Sequence, residues 1–425
     1  MQASSAPSID ESSPRYYGWW VLAASIIGMA LSPGPLFFGS LGLLAEGLAT
    51  EFSWSRAQIM LGLTLVSVAA IPAMPVVGWL IDRYGVRSVL VPSTIGLAAL
   101  LAVPPMLVGG LGGFYAWFVI AGLLTAGCQS ICYVRVISSW FDRRRGLAIG
   151  LAASGIGLGF AVVPLIVQAV STRSDWRAAY WTLALLVSLV SLPLISLVLR
   201  ERTEVPATSV LTASSQARYV SMAQVLRRRE FWLIALGIFV AAVVFNSMVP
   251  TIVSLLKDRG MSAQEAAYAA SLLGFSVAAS RLIVGYLIDF VFAPRVAVAA
   301  FGLAACGIGM LALGASGGWV YVAAVLVGVG FGAETDIIGY LVSRYFGQAM
   351  VGRVYGLILS AFLIGTGIGP YVAGLAYDSY GTYVPLLSIY ALAGLAAAGI
   401  FCLLGPYERS STAAPAKSAR LKVAS

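Results

Sequence analysis

Four charged side chains stand inside apolar stretches of this 425-residue chain: Arg135, Arg281, Glu334 and Asp336. Arg281 is the sole charge between Ala266 and Ile288, and such a stretch crosses a bilayer because ~20 residues rising ~1.5 Å each span the hydrocarbon core. A permanently charged guanidinium there costs at least ~2.5–3.5 kcal/mol on insertion scales, so it requires a partner or a wet cavity. The chemistry it offers is a two-pronged grip on a carboxylate, which the planar fork makes better than a lysine ammonium does. It lies eight residues before Asp289, about 12 Å inside the helix end and near mid-membrane. The alternative is a structural arginine neutralised by a neighbouring helix.

Glu334 and Asp336 share another apolar segment, ~10–14 Å from its end and at a depth close to that of Arg281. Two positions apart on a helix they diverge by ~200°, so both cannot face one point. One is expected to pair with Arg281 or take a proton while the other braces the helix; a plain structural ion pair is the other reading. The chain has no histidine, so proton exchange near neutral pH falls to a carboxylate. Arg135 is a second candidate anion contact, or a side chain that snorkels to the surface. Gln129, Tyr133, Asn246 and Tyr340 stand at depths suited to orienting a ligand, although buried tyrosines often do no more than satisfy a hydroxyl while packing.

These residues must be held by membrane helices. Hydrophobic residues make up 60% of the chain and charged ones only 10%, against about 25% charged in soluble domains. The apolar runs are about twenty residues or longer without strand alternation, which means helices rather than a barrel. Twelve spans are predicted, at residues 17–43, 57–81, 88–109, 114–138, 147–170, 178–199, 231–256, 265–288, 296–316, 319–342, 354–375 and 383–404. They form two six-helix bundles, 17–199 and 231–404, flanked by tails at 1–16 and 405–425 and joined by a central loop at 200–230. That loop starts polar and ends, from Met222 to Phe231, as an amphipathic segment suited to a membrane surface. The ends of the tails, 1–14 and 409–425, read as disordered.

The net charge is +9, but 19 of the 26 Lys and Arg fall on one predicted side. That asymmetry is the positive-inside signal, placing both termini and the central loop in the cytoplasm, and it removes the need for a nucleic-acid partner. The first apolar run is too long for a signal-peptide core and is expected to remain as a span. The four cysteines all lie in apolar segments; Cys128 and Cys132, four apart, form neither a redox pair nor a metal-binding spacing. Pro33 and Pro35 are expected to interrupt span 1, and Gly365, Gly367, Gly369 and Pro370 to interrupt span 11.

An internal repeat is visible. GWLIDRYGVRS from Gly78 returns as GYLIDFVFAPR from Gly285, and WFDRRRGLAIG from Trp140 as YFGQAMVGRVYGLI from Tyr345. Two bundles of parallel topology, with a site between them near the midplane, follow from such duplication. Gly78-x-x-x-Asp82-Arg83-x-Gly85-x-Arg87 matches the loop motif between spans 2 and 3 of the major facilitator superfamily, which the chain resembles over nearly its whole length. The resemblance implies an all-α fold of twelve transmembrane helices in two bundles, and gating by Gly78, Asp82, Arg83, Gly85 and Arg87. YYGWWV, FSWSRAQI, WFDRRRGLAIG and GFGAETDIIGYLVSRYFG resemble the bacterial part of the monocarboxylate and oxalate/formate branch. Members of that branch carry a substrate-binding arginine in span 8, the place of Arg281. Animal carriers of the branch have an aspartate one turn earlier, where this chain has Val277.

The expected function is therefore secondary transport of a small organic anion, a monocarboxylate above all, coupled to protons or to anion exchange. Its expected setting is a bacterial inner membrane, as a monomer in the lipid bilayer. Arg281, Tyr133, Asn246, Tyr340 and Arg135 are the candidate substrate contacts, and Glu334 and Asp336 the coupling or ion-pair residues. An exporter of hydrophobic drugs or metabolites is the alternative, and a transporter-like sensor the alternative of another class. With no histidine, no metal-ligand cluster and no nucleotide loop, neither an enzyme, a metal nor a cofactor is expected.

Overall fold

The computed structural model describes Ser13 and residues 16–103, 109–141, 144–201, 222–346 and 351–407. Among these there is no strand, and twelve long helices carry the fold. In the first bundle they are α1 (Gly18–Phe52), α2 (Arg56–Tyr84), α3 (Arg87–Ala102), α4 (Leu111–Trp140), α5 (Arg145–Ser171) and α6 (Trp176–Val198). In the second they are α7 (Arg229–Asp258), α8 (Ala263–Phe290), α9 (Ala293–Ala312), α10 (Gly318–Phe346), α11 (Val351–Tyr380) and α12 (Val384–Cys402). Eleven are long and apolar enough to cross a membrane; α3, the short one, runs into residues 104–108, which lie outside those described. Most of the two terminal tails and the polar part of the central loop also lie outside them. The expected amphipathic segment appears as a five-residue helix, Met222–Leu226, fixed by a bond from Trp232 Nε1 to Leu226 O at 2.8 Å.

The helix starts are written locally. Ser55 and Gln58 form a reciprocal capping box on α2, and Ser262 and Glu265 do the same on α8; each satisfies amides that the first turn leaves without partners. Span 1 is interrupted where Pro33 and Pro35 predicted it, by a wide-turn segment at Gly34–Phe38. Span 4 contains a break that the sequence reading missed: a tight turn at Thr125–Cys128 ends in an extended Gln129. Span 11 corrects an expectation, because α11 runs unbroken through Pro370. Nearby hydroxyls satisfy its carbonyls, as Thr64 Oγ1 donates to Gly367 O at 2.7 Å and both Ser247 Oγ and Tyr390 OH donate to Gly369 O at 3.0 Å.

Two antiparallel helix pairs join the bundles, α5 with α8 and α2 with α11. The chain ends of α2, α4 and α6 and the starts of α7, α9 and α11 define one face, rich in arginine and called the basic face below. The opposite, far face carries Glu46, Arg56, Asp258 and Asp378. Glycines record how the bundles meet. From mid-height to the far face, a Cβ at Gly157 would overlap the backbone of Ala278, one at Gly274 that of Ala161, one at Gly42 that of Pro250 and one at Gly374 that of Ala57. Toward the basic face, Gly78, Gly146, Gly150, Gly285, Gly352 and Gly356 have nothing among the described residues within 4 Å of the same position. The bundles therefore converge at the far face and separate toward the basic face, leaving a cleft between them. Phe160 of α5 and Phe331 of α10 meet edge to face across the bundles, with ring centroids 5.2 Å apart.

Candidate functional site

Small residues set the depth at which α8 and α10 present their charges. Ser276 Oγ donates to Val325 O at 2.6 Å and Ser280 Oγ to Val329 O at 2.7 Å, while Gly328 and Gly332 let the backbones touch. With that register fixed, Arg281 arrives opposite Asp336: Nη1 stands 3.5 Å from Oδ1, with side chains 9% and 25% exposed. The contact is long for a charge-assisted bond, whose usual length is ~2.7–2.9 Å. Arg281 Nε is buried and has no hydrogen-bond partner among the described residues. A guanidinium held this way has donors to spare, and buried donors are normally satisfied.

Glu334 points elsewhere. It is fully buried, its Oε2 accepts from Asn246 Nδ2 of α7 at 2.9 Å, and its Oε1 has no partner among the described residues. The two acids thus diverge as helical geometry requires, Asp336 toward the cleft and Glu334 into the packing between α7 and α10. Tyr355 of α11 lies within electrostatic range of both Arg281 and Asp336. The sequence reading passed over it, although it falls inside the repeated YFGQAMVGRVYGLI segment.

Three of the other candidates are placed away from this pair. Arg135 bonds to Asp82 and, through Nε, to Glu201 Oε1 at 3.2 Å, so it belongs to the loop motif at the basic face. Tyr340 lies nearly two turns from the basic end of α10, where its hydroxyl accepts from Arg344 Nη2 at 3.0 Å. Tyr133 is buried, its ring occupying the space that a side chain at Gly28 of α1 would need. Of the cysteines, Cys128 and Cys132 are buried, whereas Cys306 and Cys402 are exposed on the bundle exterior.

The loop motif closes on itself. Gly85 adopts φ +81°, a region that L side chains rarely enter, and this brings Val86 N within 3.0 Å of Glu201 Oε2. Arg83 lies 5.5 Å from the ring centroids of both Trp79 and Tyr84, and Arg87 is exposed. Asp82 and Arg135 tie α2 to α4, with Glu201 beyond α6 drawn in as a third member.

Residues 19–370 and 234–425 match the Major Facilitator Superfamily. The chain belongs to that superfamily. Its relatives include monocarboxylate transporter 11 of Homo sapiens, 28% identical over 92% of this chain and 83% of that protein. The oxalate:formate antiporter of Oxalobacter formigenes is 23% identical over 84% of this chain and 85% of its own. Among solved structures, a bacterial homolog of the human lysosomal transporter Spinster, inward-facing and unoccupied, superposes with a TM-score of 0.67. It covers 92% of this chain and 96% of its own at 18% identity, a likeness of fold. The protein is thus a multi-pass membrane transporter of the major facilitator fold rather than an enzyme.

Proposed function

We propose that this superfamily member carries a small organic anion, a monocarboxylate above all, by alternating access, with Arg281 as the anchor of the carboxylate. The observation that carries the reading is the state of that guanidinium: buried, one nitrogen without a partner, and held by a single long contact to an aspartate at the cleft. Single-sided recognition suits one carboxylate, since a carboxylate can take the unmet Nε donor together with a second nitrogen of the same fork. Tyr355 is the neighbour best placed to orient the rest of the ligand, and Asn246 acts on it indirectly, through Glu334.

Coupling follows from charge. A substrate carboxylate on Arg281 displaces Asp336, and a displaced carboxylate in a low-dielectric cleft must take a proton or find another cation. Asp336 is therefore the group that links substrate to protons, while Glu334 braces α10 against α7. Gly78, Asp82, Arg83, Gly85 and Arg87 serve gating at the basic face, together with Arg135. The basic face is cytoplasmic by the charge asymmetry, so the conformation described is open to the inside of a bacterial inner membrane.

The test is uptake into proteoliposomes by wild type and Arg281→Lys, alongside a thermal-shift screen against small organic acids. Stabilisation of wild type by a monocarboxylate, absent in Arg281→Lys, supports the anion site. Equal uptake by the two proteins overturns it.

A further inference from the structure

At the far face the bundles are tied by charges that have no part in the anion site. Arg56 opens α2, and its guanidinium crosses into the second bundle, where Nη1 and Nη2 donate to Asp258 Oδ2 and Oδ1 at 2.7 and 2.8 Å. Nη1 also donates to Tyr383 OH at 2.8 Å, and the guanidinium carbon lies 3.6 Å from the centroid of the Tyr377 ring. Asp378, near the end of α11, replies in the other direction: it accepts the backbone amides of Arg56 and Ala57 at 3.1 and 3.0 Å. The start of α2 is thus capped from the other bundle, at the helix end where aligned peptide dipoles favour an anion. Gly374 permits the approach, since a Cβ there would press on the backbone of Ala57. Lys257 of α7 pairs with Glu46 of α1 beside this cluster.

A single surface ion pair contributes little. This cluster is different in kind, because its forked pair, phenol and ring all converge on one arginine, and Arg56 and Asp258 are only 24% and 30% exposed. Every one of these bonds joins the first bundle to the second, so none survives if the bundles part at the far face. The other end of the α2–α11 pair offers a contrast, for there Asp82 stays within its own bundle, bonded to Arg135 and 74% exposed.

We propose that Arg56, Asp258 and Asp378, with Lys257 and Glu46 at the rim, form a lock that holds the far face shut. It stabilises the conformation open to the basic face and is released once in each transport cycle. This lock does not depend on which substrate is carried.

Ser254 supplies the readout. It is buried at the far interface, with Oγ donating to Gly42 O at 3.3 Å, and becomes reachable only when that face opens. Ser254→Cys in the purified full chain is exposed to a water-soluble maleimide, and modification at 254 is followed by mass spectrometry. Adding Asp378→Asn or Arg56→Gln should raise the labelling rate about fivefold or more, as loss of a part-exposed charge-assisted network implies. An unchanged rate in both overturns the proposal. Buried Cys128 and Cys132 report unfolding, since an opened gate adds reaction at 254 while leaving them protected; Cys306 and Cys402, exposed with the gate shut, give a constant background that mass spectrometry resolves by position. If a lock variant unfolds, Lys257→Glu decides instead: it should raise labelling at 254, and adding Glu46→Lys should restore protection. Labelling unmoved by Lys257→Glu, or not restored by the second change, overturns the lock.

Discussion

Arg281 Nη1 faces Asp336 Oδ1 across 3.5 Å, and the distance matters more than the pairing. At a full-contact length the two would form a closed structural ion pair; at this separation the guanidinium keeps donors free while its charge is still balanced. An anion entering the cleft meets a cation already desolvated and oriented, so little of its binding energy is lost to rearrangement.

Replacing Arg281 by lysine keeps the charge and removes the fork. Uptake of the monocarboxylate that stabilises wild type should fall roughly 10- to 100-fold, the size of one charge-assisted hydrogen bond of about 1.5–3 kcal/mol. Initial rates in proteoliposomes check this, with the melting temperature of the empty protein showing that the fold is intact.

Asp336→Asn and Glu334→Gln should separate coupling from bracing. Asp336→Asn removes the competing carboxylate, so the variant should bind the anion at least as tightly as wild type yet no longer accumulate it against a gradient when only a pH difference is imposed. Its binding should also lose the strengthening at low pH expected of wild type, where protonation of Asp336 frees Arg281. Glu334→Gln retains an acceptor for Asn246 and should keep accumulation within about threefold, since neutral replacements that preserve a hydrogen bond cost little. Accumulation by Asp336→Asn equal to wild type would move the proton elsewhere.

Asn246→Ala leaves Glu334 without its one donor in a fully buried position. A loss of about 1–3 kcal/mol is expected for an orphaned buried polar group, read as a lower melting temperature in detergent with the Arg281-dependent ligand shift preserved. Asn246→Asp should be worse, because it places a second acid against the first.

The twelve spans were legible because hydropathy alone registers a bilayer-length run, and the bundle symmetry because Gly78 and Gly285 open matching segments. The depth of Arg281, Glu334 and Asp336 followed from the rise per residue, and their divergence from the 100° turn. What depended on the third dimension was missed or left open. For Arg135 the sequence allowed an anion contact or a snorkelling side chain, and the structure shows the latter, reaching Asp82 at the surface. Tyr340 stands on the same helix as Asp336 but a turn farther out, within reach of Arg344. Arg56 lies in the FSWSRAQI segment that carries the family resemblance, but nothing in the sequence pointed to its partner, and only the antiparallel meeting of α2 with α11 brings Asp378 to it. The hydroxyls that meet α11 beside Pro370 likewise come from other helices, as Thr64, Ser247 and Tyr390.

Two glycines on α5 allow a test of alternation itself. Gly150 and Gly157 are seven residues apart, so they project from nearly the same face of the helix, about 10.5 Å apart along it. At Gly157 a Cβ would overlap Ala278 of α8, whereas at Gly150 nothing lies within 4 Å. A valine at 157 is therefore a wedge in the conformation described, costing about 1–3 kcal/mol as overpacking does. It should push the population toward a far-open state, visible as faster maleimide labelling of Ser254→Cys. A valine at 150 meets no neighbour here and should leave the ligand-induced thermal shift unchanged. It becomes a wedge only when α5 and α8 close at the basic face, so uptake should fall at least about tenfold, as 1.4 kcal/mol per decade implies. Normal turnover by Gly150→Val would mean that this end of α5 never packs against α8, and that the cleft closes by some movement other than rocking about the α5–α8 crossing.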